Sequence, residues 1–204
     1  MLYYSLHAFD LLSEISSFAV AAPAESVEKF RREIKAWGFS KPVQVVAGGA
    51  TRSGSVLNTL RALASTAPDM VMIHDAARAC VTADMIKALL KEGSNGTAAT
   101  LAHPAADTLR EIDGGTIAKE VDRAKIAALE TPQMFPFARI LDLHEKSQGQ
   151  DLPDDTSLFT RAGLQVKVVF HDGINLKITY PEDIPAAEGI LFGRGWQDAS
   201  EGEE

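Results

Sequence analysis

The apolar run Met70-Val71-Met72-Ile73 ends in the charged cluster His74-Asp75-Ala76-Ala77-Arg78. Short, partly β-branched and flanked by polar residues, the run reads as a buried strand of a mostly parallel sheet. Ligands of open α/β sheets bind beyond the carboxyl ends of the strands. Asp75 and Arg78 at that position suit a metal-associated polyphosphate. A surface ion pair closing a strand-to-helix loop explains them equally well. A second candidate is Gly48-Gly49, followed by Ala50-Thr51-Arg52-Ser53-Gly54-Ser55 and then a helical pattern. Its glycines let the backbone approach a base or a phosphate. Ser53 or Ser55 can cap the helix while its free N–H groups face an anion. A plain glycine turn with a serine cap is the simpler account of that segment alone. Taken singly, Thr108 reads as a strand residue, Arg123 as a solvated charge and Thr131, before Pro132, as a turn residue. Lys177 is less ordinary, because alternation between Leu176 and Ile178 places it on the opposite face of a strand.

The elements that must position these residues alternate. Phe18 to Ala22 reads as a strand and Ala24 to Trp37 as an amphipathic helix, with Val27, Phe30, Ile34 and Trp37 on one face. A strand at Val43–Ala47, a helix at Ser55–Ala64, the strand at Met70–Ile73, a helix from about Thr82 to Leu90 and a strand at Thr97–Ala102 follow. Repeated βα units predict a doubly wound parallel sheet. Asp107 to Ile112 and Thr116 to Val121, joined by Asp113-Gly114-Gly115, predict a hairpin that projects as an arm over about 105–124. Such an arm leaves groups that a second subunit could satisfy. Beyond it the pattern predicts a loop at Thr131-Pro132-Gln133, helices at Phe137–Lys146 and Asp155–Arg161, and strands at Val166–Phe170 and Leu176–Thr179. A helix at Pro181–Leu191 completes one domain over 1–194, and the acidic tail 195–204 is expected to be disordered. The chain opens on an apolar-faced helix, Leu2 to Phe9, where a nucleotide-binding domain of this class normally opens on a strand and a phosphate loop.

Composition narrows the function classes. The 204 residues carry a net charge of -8, which disfavours electrostatic binding to nucleic acid or to an anionic membrane. A single cysteine, Cys80, allows no internal disulfide, and no secretory signal or membrane-length apolar run is present, so a cytoplasmic setting is expected. The five histidines are scattered, with no spacing of a structural zinc site.

In order along the chain stand Gly48-Gly49-x-x-Arg52-x-x-Ser55-Val56, His74-Asp75-Ala76-Ala77-Arg78, Asp107-Thr108-Leu109, Val121-Asp122-Arg123, Thr131-Pro132-Gln133-x-Phe135-Pro136 and Asn175-x-Lys177-Ile178-Thr179-x-Pro181-Glu182-Asp183. Together this series closely resembles the 2-C-methyl-D-erythritol 4-phosphate cytidylyltransferases of the non-mevalonate isoprenoid pathway. The resemblance implies a Rossmann-like nucleotidyltransferase fold and transfer of CMP from CTP to 2-C-methyl-D-erythritol 4-phosphate with release of pyrophosphate. It implies magnesium or another divalent cation, and a homodimer whose arms exchange. Carried over residue by residue, it puts Gly48, Gly49 and Ser55 beside the nucleotide, Asp75 at the metal and phosphates, and Arg78 at the substrate cleft. Arg123 and Lys177 match the basic residues that position the methylerythritol phosphate, and Thr108 and Thr131 the substrate-side hydroxyls. Thr108 and Arg123 are expected to reach in from the partner's arm.

Three departures accompany the resemblance. The family's first strand and glycine-rich loop, whose Arg and Lys hold the triphosphate, have no counterpart in this sequence. Pro153 stands where the family has a threonine near the substrate. Ala79 replaces a proline, which should loosen its loop. Each lost charge-assisted contact is worth roughly 1.5–3 kcal/mol, so the chain as given is expected to be a feeble catalyst. Two alternatives follow: a catalytically impaired homologue serving as a binding or dimer-partner protein, and a cytidylyltransferase for another polyol phosphate such as ribitol 5-phosphate.

Overall fold

The structure, a computed structural model, describes residues 1–93, 95–147, 150 and 152–196. Helix α1 (Leu2–Asp10) comes first, followed by strand β1 (Phe18–Ala22), helix α2 (Val27–Trp37) and strand β2 (Val43–Ala47). Gly38, at φ 70°, ends α2 in the left-handed conformation that glycine adopts without steric cost. Helix α3 (Arg52–Leu63), strand β3 (Met70–Ile73), helix α4 (Ala83–Gly93) and strand β4 (Ala98–Pro104) continue the alternation. The arm is the hairpin β5 (Arg110–Asp113) and β6 (Thr116–Glu120), turned by Gly114 and Gly115 at φ 53° and 82°, as a tight hairpin turn requires. Strand β7 (Ala127–Pro136), helices α5 (Phe137–Lys146) and α6 (Thr156–Arg161), strand β8 (Val166–Phe170) and helix α7 (Asp183–Gly193) complete the order.

Strands β1 and β2 pair in parallel, and a second sheet has the order β3-β7-β4-β8. Within it β4 and β8 run parallel while β7 runs against both β3 and β4. Alternate residues of these strands serve opposite faces. Ala99, Leu101, Met134 and Val169 join α1, α2 and α4 in one apolar cluster, whereas Ala98 and Phe135 join α3, α5 and α6 in another. Helices therefore cover both faces, as a doubly wound α/β fold requires.

Three expectations need correction. Thr131-Pro132-Gln133 is not a loop. It lies inside β7, with Gln133 paired to both Ile73 and Thr100. A proline is tolerated there because β4 shifts register opposite it, between Thr100 and Ala102, so that Pro132 is asked for no ladder bond. Leu176–Thr179 forms no strand. The segment has no ladder partner: Ile178 N–H donates to the Ala77 carbonyl and Thr179 N–H to Asp183 Oδ2, both at 2.8 Å. Leu176 and Ile178 still pack against Cys80, Ala187 and Leu191, so Lys177 points away from that cluster as alternation predicts. The arm's first strand starts at Arg110, which leaves Thr108 outside it. Ala79 is buried, in a loop where Arg78 N–H bonds to the Asp75 carbonyl at 2.9 Å. Most of the acidic tail, 197–204, lies outside the described residues. Among those residues no helix is long and apolar enough to cross a membrane.

Candidate active site

The turn after β2 is shaped by contact. A Cβ on Gly49 would stand 2.7 Å from the Gly54 carbonyl carbon, so only glycine fits. Thr51, not either serine, caps α3, its hydroxyl accepting from Gly54 N–H at 3.0 Å. Ser55 ties the turn instead. Its Oγ accepts from Gly49 N–H and donates to the Thr51 carbonyl, both at 3.0 Å.

Capping at Thr51 fixes Arg52 as the first helical residue, between two carboxylates. Its Nε donates to Asp75 Oδ1 at 3.0 Å, and its Nη1 lies 2.8 Å from Asp155 Oδ2. The second contact is charge attraction more than a directed hydrogen bond, since neither atom finds a well-angled partner. Asp155 is 0% exposed, and its other oxygen meets His144 Nε2 at 2.9 Å. Lys177 Nζ approaches the free oxygen of Asp75 at 3.0 Å. Burial pushes the Asp75 carboxyl upward, but the charges and hydrogen bonds of Arg52 and Lys177 outweigh it and hold the group below the usual carboxylate range. Burial likewise works against the Arg52 cation, and Asp155 and Asp75 more than restore it.

Thr131 orients the strand end. Asp75 N–H donates to its Oγ1 at 3.0 Å, and the hydroxyl in turn donates to His74 Nδ1 at 3.1 Å. His74 Nε2 then donates to the Arg78 carbonyl at 3.2 Å, which makes the ring neutral with its proton on Nε2. Burial lowers His74 to about 4, consistent with that state.

Arg78 does not open onto the cleft. Its Nη1 donates to the Asn175 carbonyl at 2.7 Å and lies 3.8 Å from Glu130. Glu130 also receives Asn175 Nδ2 at 2.8 Å, His103 at 2.8 Å and His171 at 2.9 Å. Asn175 Nδ2 further bonds the Thr131 carbonyl at 2.9 Å. Arg78 is thus a strut beneath the segment carrying Lys177. Thr108 and Arg123 lie on the arm, both exposed, and Arg123 donates to the Ala106 carbonyl at 3.0 Å. Gly48, Gly49, Ser55, Asp75, Thr131 and Lys177 are therefore linked through Arg52 and the strand ends, while Thr108 and Arg123 have no such links among the described residues. Pro153 is exposed and precedes Asp154, which accepts from Ser157 N–H at 3.1 Å.

The profile of the 2-C-methyl-D-erythritol 4-phosphate cytidylyltransferase family matches residues 1–192. The chain belongs to that family. A 2-C-methyl-D-erythritol 4-phosphate cytidylyltransferase of Dictyoglomus thermophilum is 35% identical over 196 residues, covering 94% of this chain and 84% of that protein. One of Geobacter metallireducens is 35% identical over 192 residues, or 92% and 83% of the two chains. Among solved structures, the 4-diphosphocytidyl-2C-methyl-D-erythritol synthase of Anaerococcus prevotii superposes with a TM-score of 0.84 at 25% identity, covering 94% of this chain and 88% of that one. The Thermus thermophilus cytidylyltransferase gives 0.73 at 27% identity, with the same coverage. By family the protein is a Rossmann-like nucleotidyltransferase of the isoprenoid route, and these likenesses do not favour the non-catalytic alternative.

Arg52 stood in the cytidylyltransferase motif without a role. His74 and Asn175 stand in the same motif series, likewise without a role, while Glu130 and Asp155 carry no local signal and His144 only its place four residues after the buried Ile140, on the inward face of α5.

Proposed function

We propose that the chain transfers CMP from CTP to 2-C-methyl-D-erythritol 4-phosphate in the cytoplasm, at the carboxyl ends of β2 and β3. One observation carries this reading: Arg52 and Lys177 converge on Asp75 beside the Gly48–Gly49 turn. A phosphate monoester oxygen attacks the α-phosphorus of CTP in line, the bond to the bridging oxygen breaks, and pyrophosphate leaves. No nucleophilic side chain is needed, so catalysis rests on positioning and charge neutralisation. The glycine turn and Ser55 shape the nucleotide's seat. Lys177, with Arg123 from a partner's arm, holds the attacking phosphate, and Thr131 and Thr108 supply hydroxyls. The strut role of Arg78 makes its contribution one of position.

Magnesium or a similar divalent cation fits Asp75. No group of three or more His, Cys, Asp or Glu among the described residues could hold a metal, so the protein offers this carboxylate and the polyphosphate the rest. When bound, the cation supplies charge to the phosphate oxygens. Lys177 is the more exposed of Asp75's two partners and the one free to turn to a phosphate. A homodimer with exchanged arms is part of the reading. Ile112 and Ile117 face each other across the arm at 72% and 73% exposure, an apolar pair suited to burial by a second copy.

The test is pyrophosphate release by the 204-residue chain with CTP, magnesium and methylerythritol phosphate, run beside ribitol 5-phosphate. Release with the first acceptor, weakened in Lys177→Ala and Arg123→Ala, supports the reading. Release indifferent to both variants overturns the roles, preference for ribitol phosphate overturns the substrate, and no release above the buffer rate favours a binding protein.

A further inference from the structure

Lys177 lies on a segment that pairs with no strand among the described residues, so side-chain bonds and not a ladder fix its course. Two arginines hold successive carbonyls of that segment. Arg194 Nη2 donates to Ile174 at 2.8 Å and Arg78 Nη1 to Asn175 at 2.7 Å. The other anchor is a single carboxylate. Glu130 precedes Thr131 on β7, and its side chain is 6% exposed. Its Oε2 accepts from Asn175 Nδ2 at 2.8 Å and from His171 Nε2 at 2.9 Å, both on the Lys177 segment. Its Oε1 accepts from His103 Nδ1 of β4 at 2.8 Å and stands 3.8 Å from Arg78 Nη1. Glu130 thus grips the segment at two points and faces the guanidinium that grips it at a third.

We infer that Glu130 is a positioning residue for Lys177, acting through Asn175 and His171. This role deepens the proposed function and rests on its reading that Lys177 holds the attacking phosphate. A buried carboxylate is costly, and well-packed apolar residues in place of buried ion pairs are often as stable. What the charge secures here is geometry. Three hydrogen-bond donors and one cation converge on it, and only an acceptor with two oxygens serves them all. The need is greatest when phosphate is bound. Without phosphate, Lys177 Nζ is fixed by Asp75 at 3.0 Å. Once it turns to a phosphate that tie is lost, and the reach of the ammonium is set by the backbone two residues after Asn175. A misplacement of about 1 Å at a reacting group can cost about 100-fold in rate. Ile178 N–H, next in the chain, bonds the Ala77 carbonyl at 2.8 Å and so reports on that backbone.

The experiment compares Glu130→Ala, Glu130→Gln and His171→Ala in the full chain. Amide hydrogen exchange is the first readout. In Glu130→Ala the Ile178 amide is expected to exchange about tenfold faster, with the β1–β2 ladder unchanged, because the opening is local. Glutamine keeps one oxygen for Asn175 and His171, so Glu130→Gln is expected to restore most of the protection. The second readout is kinetic. Glu130→Ala is expected to raise KM for methylerythritol phosphate about tenfold and leave KM for CTP unchanged, whereas loss of folded protein alone would lower kcat and move neither KM. Should Glu130→Ala not fold, His171→Ala, which removes one of the two direct ties, is expected to show the same pattern at smaller size. Unchanged exchange at Ile178, equal acceleration in β1–β2, or Glu130→Gln no better than Glu130→Ala overturns the inference. Faster exchange at Ile178 with KM for methylerythritol phosphate unmoved upholds the anchoring and overturns the phosphate role of Lys177. The same exchange with no turnover in the parent counts against the proposed function alone.

Discussion

Asp75 and Arg123 are both assigned to one reaction, yet they are held in opposite ways. Asp75 is gripped by Arg52 and Lys177, its backbone by Thr131, and Arg52 in turn by an Asp155 that no water reaches. Arg123 sits at the root of a hairpin whose every strand residue is exposed, with one carbonyl as its partner. The first half of the site is preorganised by its own chain, so its residues serve stability and chemistry at once. The second half takes its position from something else, and its residues should affect chemistry alone. Each half can therefore be broken without the other.

The largest effect belongs to Asp155→Ala. Removing Asp155 takes one of Arg52's two carboxylates and leaves the buried His144 without its partner, and breaking such a buried pair typically costs about 3–5 kcal/mol. The variant is expected to be less stable to urea by that amount, with Arg52 held by Asp75 alone and turnover falling as its position shifts. Asp155→Ala with unaltered stability would show that the buried pair does not organise this half.

An acid effect of about 3 kcal/mol should follow from His74. Its folded pKa is lowered to about 4, against about 6.5 for an unfolded histidine. Between those values the unfolded chain takes up a proton that the native chain refuses, so stability is full above about 6.5 and falls as pH drops toward 4. Asp75 also loses stability with acid, but between the ordinary carboxyl value of 3.8 and its own lowered one, beneath this window. Urea unfolding at pH 7 and pH 4.5 measures the fall, and His74→Gln should remove most of it. Arg123→Ala should show the same pH dependence as the parent, since the arm takes no part.

How far the sequence reaches follows the same divide between short-range and long-range information. Strands β1, β2, β3 and β8 and helix α5 stand where periodicity puts them, because each buries a face that its own residues encode. The Thr131-Pro132-Gln133 strand is hidden in the sequence, since a proline inside a run argues against a strand and only the register shift in the neighbouring strand reverses that argument. The Lys177 segment failed in the opposite way, being alternating in pattern but without a neighbouring strand. Motif residues located Asp75, Lys177 and the glycine turn, whereas Asp155, 103 residues beyond Arg52, left no local signal of its partner. Ordinary polar residues become a network only once the chain has folded.

Arg123→Ala sharpens the contrast with a smaller effect. Its charge-assisted contacts to an anionic reactant are worth about 1.5–3 kcal/mol, so turnover should fall about 10- to 150-fold. Unfolding stability should stay within about 0.5 kcal/mol of the parent, the usual range for an exposed change. A stability loss comparable with that of Asp155→Ala would mean that the arm root is structural after all.

The smallest signal is the most direct about where Arg123 acts. Mix Lys177→Ala with Arg123→Ala protein, unfold, and refold together. If Arg123 serves the partner's site in a twofold dimer, half of the dimers are mixed. In each mixed dimer one site combines an intact Lys177 with an intact Arg123, and the other lacks both. The mixture should then recover about a quarter of the parent rate, well above either variant alone. If Arg123 serves its own chain, every site remains defective, and the mixture shows only the average of the two variants. The arm needs this test because the described residues give Arg123 no fixed partner beyond the Ala106 carbonyl, whereas Lys177 has its answer at 3.0 Å from Asp75.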